Sequence, residues 1–182
     1  MSSSPRLKFI EGAIDTIPLM IGAIPFGIIY GTLSQSSDLS VYGALALSSI
    51  VFAGSSQFVA LGLIASGSSI FIIIIKTFLI NLRHLLYSFS LRQHLSHLPQ
   101  KWKIPLSFGL TDETFAVTIK HYSDINSHDL KHWYFLGSFL FFYLNWQIFT
   151  VVGIIFGSSF PEIKDWGLEF AMSATFIGIV IP

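Results

Sequence analysis

The longest charge-poor tract of the chain covers residues 41–91, and its only strongly charged side chains are Lys76 and Arg83. Shorter apolar stretches cover residues 13–33 and 133–156. A helix needs about 20 residues to cross the hydrocarbon layer of a bilayer. The long tract is therefore long enough for two crossings, or for one crossing and a re-entrant piece. These stretches predict an integral membrane protein.

The composition supports the same class. Only 11% of the 182 residues are charged and 52% are hydrophobic, so a soluble fold would have to expose most of its apolar side chains. The 10 basic and 10 acidic residues leave no net charge, which argues against a nucleic-acid partner. The lack of cysteine excludes disulfides, thiolate catalysis and cysteine-based zinc sites. We expect one all-α, multi-pass domain over residues 1–182, embedded in the lipid bilayer.

The loop charges favour broken or re-entrant helices. If residues 41–91 cross once and include a re-entrant part, and if residues 104–119 are also re-entrant, only Lys164 opposes the other loop lysines and arginines. If every apolar segment crosses, these cations divide evenly between the two sides. Because loop cations tend to gather on one side, the first arrangement is favoured.

The last apolar run begins at Phe170 and stops at Pro182, which is too short to cross a bilayer. We therefore expect the chain to lack its last C-terminal helix or helices, or this end to be covered by another helix or subunit.

The first span carries a stripe of small residues. Ala23, Gly27 and Gly31 recur every four positions, which allows another helix to approach closely. The same span contains Pro25, in the sequence IPFG at residues 24–27. Helix packing explains this pattern; the alternative is that these residues unwind and offer backbone groups to a substrate, so that Pro25 and Gly27 are candidate substrate-binding residues.

A second polar interruption lies at Gly54, Ser55, Ser56 and Gln57, within an apolar segment. Hydrogen bonds between helices would satisfy these side chains. A bend at Gly54 would instead present neutral donors and acceptors to a zwitterionic ligand. Both interpretations remain open at this stage.

Residues 76–90 have one polar and one apolar face when drawn as a helix at 100° per residue. The polar face consists of Lys76, Thr77, Asn81, Arg83, His84, Tyr87, Ser88 and Ser90. Such a face suits the wall of a hydrated cavity or an anion path; the alternative is a helix end that snorkels to the head groups. An Arg or Lys facing lipid costs roughly 2.5–3.5 kcal/mol, so we expect these cations to pair with carboxylates.

Asp112 and Glu113 are the candidate carboxylates, with His84 and Lys76 as further members of an ion-pair or proton-coupling group. Thr111 can cap a helix that carries both acids in its first turn. Because adjacent residues diverge by about 100° on a helix, one acid can serve the cap while the other pairs with Arg83 or binds a proton. Which of the two titrates is left open.

The six histidines show no metal-binding spacing such as His-Glu-x-x-His, and we expect most of them in loops. They are His84, His94, His97, His121, His128 and His132. We expect no metal site and no cofactor.

Four motifs together resemble the AzlC family, the large subunits of branched-chain amino acid exporters. They are IPFG at residues 24–27, FAGSSQF at 52–58, NLRHLLY at 81–87 and LTDETF at 110–115, with weaker support from NWQ at 145–147. The resemblance runs from about residue 9 to the end of the chain.

The resemblance implies a bacterial inner-membrane exporter of leucine, isoleucine, valine or related hydrophobic amino acids, driven by a proton gradient. It also implies a small multi-span partner of the AzlD type. Two other functions are weighed against this one. The first is an intramembrane enzyme that uses His84 with Asp112 or Glu113 as an acid–base pair. The second is a non-transporting assembly or regulatory subunit.

Overall fold

The computed structural model describes residues 4–37, 39–124 and 130–159, and the regular structure in these ranges is helical. In chain order the helices are α1 Pro5–Ser34, α2 Val41–Ile50, α3 Gly54–Ala65, α4 Ile70–Asn81, α5 Arg83–Leu95, α6 Gln100–Phe108, α7 Asp112–Asp124 and α8 Lys131–Ser159. The all-α prediction is confirmed. The expectation about the run that begins at Phe170 lies outside the described residues.

Three helical stretches of the described chain are long and apolar enough to cross a membrane: Pro5–Ser34, Ile70–Leu95 and Lys131–Ser159. The first and last contain the spans predicted at residues 13–33 and 133–156. Helices α2 and α3 have only 10 and 12 residues, which is too short for a crossing by either alone. The prediction of broken helical segments is therefore confirmed.

The chain divides into two compact units. The first unit contains Met1–Ala23 and Leu82–Trp146, and the second contains Ile24–Asn81 and Gln147–Pro182. Helices α1 and α8 therefore each contribute their first part to the first unit and their second part to the second unit. The expectation of a single domain stays a prediction.

In the first unit, α1 and α8 are in close contact because small residues lie between them. A Cβ atom on Gly12 would lie 2.0 Å from the carbonyl oxygen of Tyr134, which is closer than any real Cβ contact. One turn further along α1, the buried Thr16 hydroxyl lies 2.7 Å from the hydroxyl of Ser138. Backbone proximity and a buried polar contact therefore hold these helices together.

In the second unit, the small-residue stripe of α1 packs against α8. A Cβ on Gly31 would lie 2.2 Å from the carbonyl oxygen of Thr150, and one on Gly27 would lie 3.0 Å from a side-chain atom of α8. Helix α1 runs without interruption through residues 24–27. The alternative of unwinding at Pro25 is therefore wrong, because a proline is tolerated in a membrane helix whose neighbour packs closely against it. Gly27 takes part in helix packing.

Candidate functional site

An ion pair connects two helices of the first unit. Arg83 is the first residue of α5 and Asp112 is the first residue of α7, and Nη1 of the arginine lies 2.8 Å from Oδ2 of the aspartate. One turn after Arg83, the Tyr87 hydroxyl donates a hydrogen bond to the other carboxylate oxygen, Oδ1, at 2.5 Å. Two donors thus hold both oxygens of Asp112. The predicted pairing of Arg83 with an acid of this motif is confirmed.

The start of α7 is capped by threonines. The Thr114 backbone N–H donates to Oγ1 of Thr111 at 3.3 Å, and the Thr111 N–H donates to Oγ1 of Thr114 at 2.8 Å. The cap predicted at Thr111 is confirmed. Because this cap satisfies the helix end, the Asp112 carboxylate is left to accept hydrogen bonds from α5.

Glu113 differs from its neighbour in environment. Burial raises its pKa, the charge of Asp112 adds to the rise, and hydrogen bonds from its own backbone N–H and from Thr111 oppose it. Helix α7 lies outside the three stretches that can cross a membrane. Of the two acids that the sequence leaves open, Asp112 therefore belongs to an ion pair and Glu113 has a raised pKa.

Aromatic rings surround the ion pair. Tyr87 stacks on Phe115 of α7, with ring centroids 4.5 Å apart and an angle of 12° between planes. His84 meets the edge of Tyr87 at 5.8 Å. Its buried Nε2 atom has no hydrogen-bond partner within the described parts of the chain. His84 therefore lies beside the ion pair without bonding to either acid there.

The polar interruption at residues 54–57 begins a helix in the second unit. Helix α2 ends at Ile50 and α3 begins at Gly54. The fully buried Gln57 side chain turns back on the break, and its Nε2 donates to the carbonyl oxygens of Val51 at 2.6 Å and Ser48 at 3.4 Å. Because an unpaired carbonyl is costly in an apolar environment, this amide stabilises the break. The chain therefore bends just before Gly54, and that this bend faces a ligand stays a prediction.

Two residues that the sequence singled out separately meet in the same unit. The Ser56 hydroxyl of α3 donates to Oδ1 of Asn81 at the end of α4, at 2.6 Å. Ser55 and Gly54 form the first turn of α3, whose N-cap residue, Ala53, contributes no side-chain hydrogen bond. The first turn of a helix carries partial positive charge, so this end favours an anionic or hydrogen-bond-accepting group.

Helix α8 supplies polar partners to α2 that the sequence only hinted at. The Gln147 amide donates to the Ser48 carbonyl at 3.2 Å and accepts from the Ser49 hydroxyl at 3.1 Å. The hydroxyls of Ser48 and Thr150 lie 3.1 Å apart. The NWQ motif was the signal for Gln147, whereas nothing local marked Ser48 or Thr150.

The polar face predicted for residues 76–90 spans an interruption of the helix. Asn81, Arg83, His84 and Tyr87 are partly buried. Lys76, Ser88 and Ser90 are exposed, and within the described chain Lys76 forms no ion pair. The expected carboxylate partner of Lys76 is thus missing there. Helix α4 ends at Asn81 and α5 begins at Arg83.

The apolar face of these residues is exposed, as expected of side chains in contact with lipid. Its members are Phe78, Leu79, Leu82, Leu85, Leu86 and Phe89.

A second cluster in the first unit was not found from the sequence. Glu11, Asp15 and His121 place one possible ligand atom each within 4.8 Å of one another. The Tyr134 hydroxyl donates to Asp15 Oδ2 at 2.7 Å, and the Tyr134 ring stacks on His121 at 3.7 Å. Lys8 lies 2.7 Å from Glu11 and already neutralises one acid. The carboxylates lie one turn apart on α1, but no local pattern links them to a histidine on α7.

The expectation that most histidines lie in loops is wrong. His84 and His94 lie in α5, His121 in α7 and His132 in α8. Only His97 lies in a turn among the described histidines, and His128 lies outside the described residues. Burial lowers the pKa of His121, and the charge of Glu11 opposes this effect. His94, His121 and His132 were mistaken for loop residues because they lie near helix ends, in polar parts of the sequence.

Asn145, the first residue of the NWQ motif, donates from Nδ2 to the carbonyl oxygen of Met20 at 3.2 Å. Both residues belong to the first unit, so this bond joins α8 to α1. Asn145 therefore takes part in helix packing.

Comparisons with a family model and with individual proteins point to the same family. The AzlC protein family model matches residues 18–160. The inner membrane protein YgaZ of Escherichia coli strain K12 is 32% identical over 178 residues, which cover 95% of this chain and 72% of that protein. An uncharacterized membrane protein of Archaeoglobus fulgidus is 34% identical over 185 residues, with 100% and 78% coverage. No solved structure matches.

The branched-chain amino acid transport protein AzlC of Bacillus subtilis strain 168 is 32% identical over 166 residues. This alignment covers 91% of the present chain but only 64% of the length of that relative. The helical spans and the named relatives make this a multi-pass inner-membrane protein related to transport. On this evidence the chain belongs to the AzlC family.

Proposed function

We propose that the chain exports branched-chain or related hydrophobic amino acids by proton-coupled secondary transport, together with a small AzlD-type membrane subunit. The substrate class is supported by the Bacillus subtilis relative, which is named a branched-chain amino acid transport protein. The single structural observation that carries the proposal is the ion pair between Arg83 and Asp112, because Arg83 lies within a stretch that can cross the membrane. Ionisable groups at such positions usually serve ion or substrate pathways.

In the proposed cycle, Arg83 exchanges one carboxylate for another. In the present structure its guanidinium pairs with Asp112. An amino-acid substrate carries a carboxylate of the same geometry, and arginine binds such groups through parallel hydrogen bonds. Substrate binding would therefore release Asp112 from Arg83 and bias the protein toward another conformation.

Glu113 supplies the proton step. Its carboxylate takes up one proton from the side of higher proton activity and releases it on the other side. Protonation removes a negative charge next to Asp112, which changes how strongly the pair holds Arg83. Proton uptake and substrate binding are thereby coupled through neighbouring charges.

The second unit, considered by itself, also offers neutral groups suited to the ammonium group of an amino acid. Ser55 and Gly54 lie at the first turn of α3, and Ser56 is hydrogen-bonded to Asn81. Hydroxyl and amide oxygens accept hydrogen bonds from an ammonium group without adding net charge. Broken helices at substrate sites provide such groups in other secondary transporters.

Efflux measurements test the proposal. Cells that carry this chain with an AzlD-type subunit are loaded with radiolabelled leucine, valine or methionine, and a pH gradient is imposed. We expect efflux of the preferred substrate to fall at least ten-fold in Arg83→Gln, Asp112→Asn and Glu113→Gln, with unchanged membrane expression. Lys76→Gln removes an exposed cation from the same candidate span and should retain efflux. Unchanged efflux in all three site variants would refute the assignment.

The assembly-subunit alternative gives a different result in the same experiment. If this chain only assembles a transporter, efflux requires its presence but is insensitive to neutral substitution of Arg83, Asp112 and Glu113. Omission of the small subunit then separates a requirement for the partner from a requirement for these side chains.

A further inference from the structure

A cavity of about 370 Å³ lies in the first unit, apart from the ion pair of Arg83 and Asp112. Its walls come from α5, the turn that follows it, α6, the segment between α6 and α7, and the first part of α8. The lining residues are Ser88, Leu91, Arg92, Leu95, Ser96, Leu98, Lys103, Leu106, Ser107, Leu110 and Phe135. The lining therefore combines an apolar wall with serines and two cations, and it contains no acidic residue.

Both cations of this cavity can meet an anion. Arg92 is exposed, in the last turn of α5, and its guanidinium forms no hydrogen bond or ion pair within the described chain. Lys103 of α6 donates from Nζ to the Ser96 carbonyl oxygen at 2.7 Å, which leaves two of its three N–H donors. Neither charge is neutralised by a carboxylate, so the cavity attracts negative groups.

The cavity lies where two candidate spans end. Arg92 belongs to the last turn of the stretch Ile70–Leu95, and Phe135 lies near the start of Lys131–Ser159. On the neighbouring helices, Trp102 and Trp133 form an edge-to-face pair with centroids 5.0 Å apart. Tryptophans concentrate at the level of the lipid head groups. Span ends and aromatic rings therefore place this cavity at a membrane–water boundary.

We propose that this cavity binds an anionic phospholipid. Its phosphate would lie between Arg92 and Lys103, and the first carbons of one acyl chain would lie over Leu95, with the buried Leu91 and Leu106 behind it. A free phosphate would contact only the cations and serines of the lining, whereas a phospholipid would contact both these polar groups and the apolar wall. Basic pockets between membrane helices bind anionic head groups by the same combination of contacts.

The test compares lipid head groups on the purified protein in detergent. Binding of short-chain phosphatidylglycerol, short-chain phosphatidylcholine and inorganic phosphate is measured by native mass spectrometry. We expect phosphatidylglycerol to bind more tightly than the other two. Arg92→Gln and Lys103→Gln should each weaken its binding about five-fold, the effect of one cation near an anionic lipid.

Lys101→Gln is the matched control, because Lys101 lies on the same helix as Lys103 but does not line the cavity. It should leave phosphatidylglycerol binding unchanged, and Lys103→Arg should retain it. Equal binding of the two lipids would overturn the proposal, as would an equal loss in Lys101→Gln and Lys103→Gln. Inorganic phosphate that binds as tightly as phosphatidylglycerol would assign the cavity to a free anion instead. The lipid comparison uses the unsubstituted protein, so it decides even if a variant fails to fold.

Discussion

Nη1 of Arg83 lies 2.8 Å from Oδ2 of Asp112, which joins the start of α5 to the start of α7. Both side chains are partly exposed in the isolated protein, by 21% and 40%. Arg83 lies within a stretch that can cross the membrane, and a charge without a counter-charge is costly in the hydrocarbon layer. The contact therefore has a structural role as well as the transport role proposed above, and the two can be measured separately.

If this ion pair stabilises the fold, a double-mutant cycle should show that Arg83 and Asp112 are energetically coupled. Asp112→Asn leaves Arg83 without its counter-charge and should lower the free energy of unfolding by about 2 kcal/mol, the usual size for a hydrogen bond to a charged group. The double variant with Arg83→Gln should lose less than the sum of the two single losses, because both remove the same contact. Thermal unfolding of the detergent-solubilised protein measures all four states. Simple additivity would mean that the side chains do not interact.

Tyr87 offers a separate test of the same carboxylate. Tyr87→Phe removes the hydrogen bond to Asp112 but keeps the ring that stacks on Phe115. We expect the concentration of amino acid that gives half-maximal export to rise, and the free energy of unfolding to fall by about 1 kcal/mol. Phe115→Leu is the complementary control, since it removes the stacked ring and leaves the hydrogen bond. Identical effects of both variants on half-saturation would show that the hydroxyl has no specific role.

Glu113 predicts how stability changes with pH. The pKa of Glu113 is raised in the folded protein, so the folded state keeps this proton to a higher pH than the unfolded chain does. Below the ordinary pKa of about 4.5 both states are protonated, and Glu113 does not change stability with pH. Above that pH the free energy of unfolding should fall as the pH rises, until the raised pKa of the folded state is passed. Glu113→Gln should remove this decline in pH-dependent thermal unfolding. A wild-type protein that gains stability over Glu113→Gln as the pH rises would contradict the assignment.

The close approach of α1 and α8 predicts opposite effects of two glycine substitutions on the same helix. Gly12→Ala places a Cβ against the Tyr134 carbonyl and should destabilise the protein by about 1–3 kcal/mol through overpacking. Gly22→Ala meets no atom within 4 Å and should stabilise helix α1 by up to about 1 kcal/mol through helix propensity. Melting temperatures in detergent compare the two. A similar loss in both variants would show that backbone flexibility, and not proximity, explains the glycines.

Local chemistry predicted much of the candidate site. The Thr111 cap, the break at Gly54 and the pairing of Arg83 with a neighbouring acid follow from residue type and spacing, because capping and the cost of a bare charge act over a few residues or a few ångströms. The resemblance to the AzlC family rested on the same short motifs, and it is confirmed.

Sequence periodicity did not show where the helix is interrupted. The polar face of residues 76–90 was drawn on one continuous helix, whereas α4 ends at Asn81 and α5 begins at Arg83. At Pro25 the sequence left open whether the first span unwinds, and the structure shows that α1 stays helical there.

The sequence by itself determined the membrane-helical class, the main spans and the family, because apolar length and composition are properties of the chain alone. Only the tertiary structure decided which acid faces Arg83, how Glu113 differs from Asp112, and that Glu11 and Asp15 meet His121. These relationships join residues far apart in the sequence, and they depend on the packing of helices, which no local pattern specifies.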